Sequence, residues 1–134
     1  MTSADEVFAF SYNSLMRAMM GVMLAGPKHS RITLSDDHVR VRMGAGGWMF
    51  SADVPRAAVT AVTLSTGIVG GWGAHGWRGR WLVNGSSKGL VRLTIEPVQR
   101  ARVSWFPVKL RVLTLSLERP DEFVARFAPV ASGA

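Results

Sequence analysis

The chain has 134 residues, 48% of them hydrophobic and 19% charged, with a net charge of +7; these are the proportions of one globular domain able to bury a real core. The absence of cysteine excludes disulfides, thiolate nucleophiles and cysteine-ligated zinc or iron–sulfur centres. Between positions 78 and 111, Arg78, Arg80, Lys88, Arg92, Arg100, Arg102, Lys109 and Arg111 face Glu96 alone, so this segment carries the whole net excess and predicts a positive field that draws in anionic partners.

Residues Met1 to Glu6 read as a frayed terminus. Asn13 or Ser14 is placed to cap a helix through Leu15, Met16, Met19, Met20 and Met23, which share one face, and Gly26-Pro27 would end it. The apolar part, Leu15 to Ala25, is far shorter than the roughly 20 residues of a membrane span. Asp5 and Glu6 precede it and Arg17 interrupts it, which is not the layout of a secretory signal. A membrane-surface anchor is the alternative to a helix packed on the domain.

Strands begin at Arg31. Ile32 and Leu34 lead into Ser35-Asp36-Asp37, a turn signal, after which His38 to Met43 alternates strictly. Val39, Val41 and Met43 point one way; His38, Arg40 and Arg42 point the other. Gly44 to Gly47 breaks this strand into a hairpin with Trp48-Met49-Phe50, and Asp53-Val54-Pro55 is expected to break the next. Ala58 to Leu64 is a further β-branched run.

Ser65 to Arg80 is rich in glycine, interleaved with Trp72, His75 and Trp77. It is expected as a long loop merging into a strand near Trp77, with Trp77 and Trp81 on one face and Arg78 and Arg80 on the other. Trp77 to Val83 and Gly89 to Ile95 flank Asn84-Gly85, the strongest short hairpin signal. Glu96-Pro97 should close that strand, Arg100 to Val103 make a short basic one, Phe106-Pro107 turn the chain, and Lys109 to Leu117 make the last. Pro120 at a first helical position, followed by Asp121 and Glu122, starts a closing helix with Phe123, Val124 and Phe127 on one side, ended by Ala128-Pro129.

The expected fold class is mainly β: a curled antiparallel sheet or partly open barrel of about seven strands, with a short C-terminal helix and an N-terminal helical segment. Residues 1-29 form the helical segment packed on the domain, 30-128 the β-domain with its helix, and 129-134 a tail.

The succession Ile32–Ser35-Asp36-Asp37–Val39, Trp48-Met49-Phe50 and Asp53-Val54-Pro55, together with the ending from Leu113 to Phe123, resembles bacterial pleckstrin-homology-like domains, as found in small actinobacterial proteins. The resemblance covers about residues 30 to 128 and implies a β-barrel closed by a C-terminal helix, with a binding or scaffolding role. It carries over no functional residue.

Catalytic patterns fail on context. Gly71-Trp72-Gly73-Ala74-His75-Gly76 spells a dinucleotide fingerprint, but a strand pattern follows it where a helix must open. His29, His38 and His75 have no partners at ligand spacing, Asp36-Asp37-His38 is a turn, and no serine sits in a nucleophile elbow. No catalytic residue, metal or cofactor is therefore expected.

What survives is an anion site of Arg78, Arg80, Arg100 and Arg102 with Trp72 and His75, on a non-catalytic binding module facing an anionic lipid surface or an acidic protein. The expected location is the cytoplasm, or the inner face of the membrane as a peripheral protein. Two alternatives compete. One is a nucleic-acid-binding β-domain; the other is a self-association module using Phe8, Phe10, Tyr12 and the methionine face.

Overall fold

Alternation at period two places apolar side chains on one side of successive segments, and those segments form the strands of one open sheet. The computed structural model describes residues 5–65 and 73–127. In chain order the elements are β1 (Glu6–Phe8), α1 (Ser14–Val22), β2 (Arg31–Leu34), β3 (His38–Met43), β4 (Phe50–Pro55), β5 (Val59–Leu64), β6 (Gly73–Trp77), β7 (Arg80–Asn84), β8 (Leu90–Val103), β9 (Phe106–Ser116) and α2 (Pro120–Ala125). The protein is mainly β, with nine strands among the described residues in the order β1-β2-β3-β4-β8-β9-β7-β6; β5 pairs with β8 on the same edge as β4, opposite β9. Every pairing is antiparallel except β7 with β9.

The long strand β8 organises this sheet. Its first half pairs with β5, as Val62 opposite Leu93, and its last residues pair with β4, as Ala101 opposite Ala52. β9 accompanies both halves, with a register irregularity between Thr94 and Gln99. Glu96-Pro97 therefore bends one strand where the sequence suggested an end. Likewise β4 runs through Asp53-Val54 to Pro55, because a proline at the last position of a strand removes no ladder bond further along.

Inward-facing Val39, Val41, Met43, Val91, Leu93, Leu113, Leu115 and Leu117 are buried as the alternation predicts. Phe123 of α2 completes the core, edge-on to Phe8 with ring centroids 5.1 Å apart. Glu6–Phe8 is thus a strand, and the self-association reading loses its aromatics. Phe8 and Phe10 are buried, and the Tyr12 hydroxyl donates to the Ala25 carbonyl at 2.8 Å. α1 is capped by Asn13, whose side chain accepts from the Met16 amide at 2.8 Å. It stops at Val22, earlier than Gly26-Pro27; Leu24 takes the left-handed backbone, φ 57°, that turns the chain.

Asn84-Gly85 is not a hairpin turn. β7 and β8 run in opposite directions, but β9 lies between them and pairs with β8 along one edge and with β7, at residues 112–115, along the other. The N-terminal segment crosses this connection. Asn13 N donates to the Gly85 carbonyl, Gly85 N to Ser116 Oγ, and Ser86 Oγ to Ser11 Oγ. Gly85 is needed here for space, since a Cβ would meet the Tyr12 ring and the Ser11 carbonyl.

Acidic groups gather at one end. Arg126 hydrogen-bonds Glu6 and Arg119 hydrogen-bonds Glu122. The Arg56 amide donates to the Asp37 carbonyl, its guanidinium donates to the carbonyls of Ser35 and Arg126, and its charge lies 4.8 Å over the Phe127 ring. This pole joins β1, the β2–β3 turn and α2.

Two stability predictions follow from these contacts. Gly85→Ala should cost about 2 kcal/mol or more in urea unfolding, an overpacking penalty that an open Asn-Gly turn would not incur. The Arg126 hydrogen bond holds the Glu6 carboxyl below its usual range. A carboxyl lowered in the folded state contributes stability above its unfolded value and loses it as pH falls through the folded one. Glu6→Gln should therefore lower Tm at neutral pH and converge with the parent on acidification, as read by thermal melts across the acid range.

Candidate anion-binding face

Two tight turns present the basic residues. The β6–β7 hairpin closes through Arg78 (φ 53°) and Gly79 (φ 84°), with Trp77 opposite Arg80. Two positive-φ residues between paired neighbours make the type I′ turn that matches strand twist. The expected continuous strand from Trp77 to Val83 is therefore broken at Arg78, because glycine at 79 makes the turn cheap there. The Gly79 carbonyl accepts from Arg111 N at 2.7 Å and Val112 N at 3.1 Å, which docks the turn on β9.

Trp81 sits at the middle of this arrangement. Its Nε1 donates to the Lys109 carbonyl at 3.2 Å, and its ring lies over Gly76, where a Cβ would collide with it. On one side an open groove of about 460 Å³ is lined by Arg78, Gly79, Trp81, Val108, Lys109 and Arg111. Three cations border it and no acid does. On the other side a depression of about 360 Å³ is lined by His75, Trp77, Arg80, Leu82 and Arg92, among others. Cross-strand register explains the second set: Arg92, Thr114, Leu82 and His75 lie in one row, and Thr94, Val112, Arg80 and Trp77 in the next.

Arg100 and Arg102 lie further along the same β8–β9 ribbon. Arg100 is opposite Lys109, and Arg102 is flanked by Ser51 and Pro107. The row continues through Arg42 to Arg31. Asp53 on this face is already held by Arg40 and Arg42, each at 3.0 Å. Among the described residues, no arginine or lysine between positions 78 and 111 enters an ion pair.

Of the six residues singled out from sequence, His75 and Arg80 share the depression and Arg78 borders the groove. Arg100 and Arg102 belong to the ribbon beyond Lys109, and Trp72 lies outside the described residues. Sequence spacing missed Arg92, Lys109 and Arg111 as site members, since sheet pairing alone brings β7, β8 and β9 together. It also missed Arg31 and Arg42, which lie far from the basic segment. Their outward position in an alternating strand was the available signal.

The His75 ring nitrogen Nε2 lies 3.2 Å from Asn84 Oδ1. Among the described residues no group of three or more histidines and acids could hold a metal ion. What the face offers chemically is guanidinium and ammonium donors beside indole rings, suited to phosphate or carboxylate.

The two tryptophans separate framework from surface. Trp77 is 73% exposed, and the Arg78 guanidinium lies 5.6 Å from the centre of its indole. Trp77→Ala should change stability by less than about 0.5 kcal/mol, whereas Trp81→Ala, which opens the β7–β9 seam, should cost about 3 kcal/mol; urea denaturation of both variants reads the contrast. No family model matches the chain, and no curated protein or solved structure is significantly similar to it.

Proposed function

We propose that this protein is a non-catalytic binding module whose basic β7–β8–β9 face docks on an anionic membrane surface. The single observation that carries this reading is charge separation. Glu6 and Glu122 are consumed in pairs at the α2 pole and Asp53 by two arginines, while the cations around Trp81 have no acidic partner among the described residues. A surface with unpaired charge of one sign attracts a surface of the other. Arginine predominates, and its planar fork suits phosphate oxygens.

The resemblance to pleckstrin-homology-like domains agrees with a binding role. The hairpins β2–β3–β4 and the passage from β9 into α2 are the stretches that carry it. No described helix is long and apolar enough to cross a membrane, and the proposal places the protein on the cytoplasmic face as a peripheral component. An acidic protein and single-stranded nucleic acid are the competing partners.

The test is co-sedimentation with phosphatidylcholine vesicles, with and without phosphatidylserine, at low and physiological salt. Binding should require the anionic lipid and weaken as salt rises. Each basic residue near such a surface contributes about 1 kcal/mol, so replacing Arg78, Lys109 and Arg111 together by alanine should weaken partitioning roughly a hundredfold. No binding at low salt, or binding indifferent to that triple change, overturns the reading. A tighter complex with an oligonucleotide at the same salt would replace the membrane by nucleic acid.

A further inference from the structure

The pole opposite α2 is apolar; sequence reading offered the α1 segment as a membrane-surface anchor but did not join it to Trp105 and Phe106. β3 and β4 run from the acidic end to Met43 and Phe50, and Phe50 is opposite Val103, the last residue before the β8–β9 turn. A six-residue strand spans about 20 Å, so that turn lies a full strand length from the acids. There Trp105 is 63% exposed and Phe106 73%.

The end of α1 meets the same place. Trp48 Nε1 donates to the Met23 carbonyl at 3.1 Å, Ala45 N to the Leu24 carbonyl at 2.7 Å, and Ser104 N to the Met49 carbonyl at 3.4 Å. Val22 is 86% exposed, and Met23 and Leu24 beside it are exposed as well. Helical spacing extends this apolar stripe back through Met19 to Leu15, both exposed.

The turn itself argues for use. Ser104 (φ 49°) and Trp105 (φ 66°) form a two-residue loop between the paired Val103 and Phe106. Both hold the left-handed backbone that asparagine and glycine adopt cheaply and tryptophan does not. Strain at an exposed aromatic with little packing to offset it is a feature that a binding role explains.

We infer that Trp105, Phe106 and the Val22–Leu24 end of α1 form an insertion edge that enters the boundary between headgroups and acyl chains of an anionic bilayer. This rests on the reading of the basic face as membrane-docking and adds to it a fixed orientation, acidic pole outward. Charge complementarity selects this occupant. Behind the edge lie Arg31, Arg42 and Arg102 in one cross-strand row, with Lys28 following α1. Two copies apposed through this edge would bring Arg31, Arg102 and Lys28 together, Arg42 being already paired with Asp53, whereas an anionic lipid surface neutralises them. Indole and phenyl rings settle at the headgroup level with basic residues just above, and an apolar helical face buries to about 5–10 Å.

The cysteine-free chain allows one environment-sensitive fluorophore to be placed at a time, through Val22→Cys, Phe106→Cys or Asp121→Cys. On phosphatidylserine-containing vesicles, labels at positions 22 and 106 should shift to the blue and resist an aqueous quencher; the label at 121 should do neither. The paired change Ser104→Asn with Trp105→Gly should raise Tm, by relaxing the turn, and yet weaken partitioning about tenfold or more. Bound protein with all three labels in water overturns the insertion edge and leaves the basic-face reading standing. No binding to anionic vesicles at low salt removes both. A lipid-free dimer that shields positions 22 and 106 in sedimentation and quenching assigns the edge to a second copy and overturns the inference.

Discussion

The β8–β9 ribbon is the constraint on which the rest of the structure depends. One strand of 14 residues serves two neighbours in succession, β5 and then β4, while β9 follows it throughout. A strand shared in this way ties both parts of the sheet to one core. The inner side of the ribbon supplies Val91, Leu93, Ile95, Leu110, Leu113 and Leu115, all buried. The outer side supplies Arg92, Arg100, Arg102, Lys109 and Arg111, all exposed. Along β8 the alternation that buries Val91, Leu93, Ile95 and Ala101 turns Arg92, Arg100 and Arg102 outward; in β9 the register irregularity lets Leu110 and Leu113, of opposite parity, both reach the core and leaves Lys109 and Arg111 outside.

Local patterns were legible in the sequence; long-range pairing was not. The alternation in His38–Met43 and in Leu113–Leu117 placed the inward residues correctly. Pro120 with Asp121 and Glu122 marked the start of α2. The failures share one cause, which is that contacts between segments distant in sequence override local signals, turn chemistry among them, or act where no local signal exists. Asn84-Gly85 spells a hairpin, but its glycine is there because Tyr12 lies against it. Ser104-Trp105 spells nothing and is a two-residue turn. Phe8 and Phe10 looked like a free aromatic segment because nothing local says that β1 pairs with β2 and that Phe123 arrives from the far end of the chain.

The charge pattern was half legible for the same reason. Counting along the chain found the basic excess between positions 78 and 111. It could not find that Arg31 and Arg42 extend a row ending at Arg102, or that Arg56, Arg119 and Arg126 are committed to the acidic pole. Pairing sorts the cations into those with partners and those without. Sequence proximity does not.

The two type I′ turns at the ends of the basic ribbon make the sharpest comparison. Arg78-Gly79 uses glycine at its second position, and the Gly79 carbonyl accepts two hydrogen bonds from β9. That turn is explained by the fold it stabilises. Ser104-Trp105 has the same backbone with no glycine, and its indole stands mostly in water. A left-handed tryptophan costs on the order of 1–2 kcal/mol, and beyond the strand pairing that it closes, the turn adds a bond from Ser104 N to the Met49 carbonyl at 3.4 Å, a weak return. Fold stability accounts for glycine in the first turn and gives no reason for tryptophan in the second. The proposed contact of that indole, and of the apolar end of α1 beside it, with a lipid surface supplies that reason.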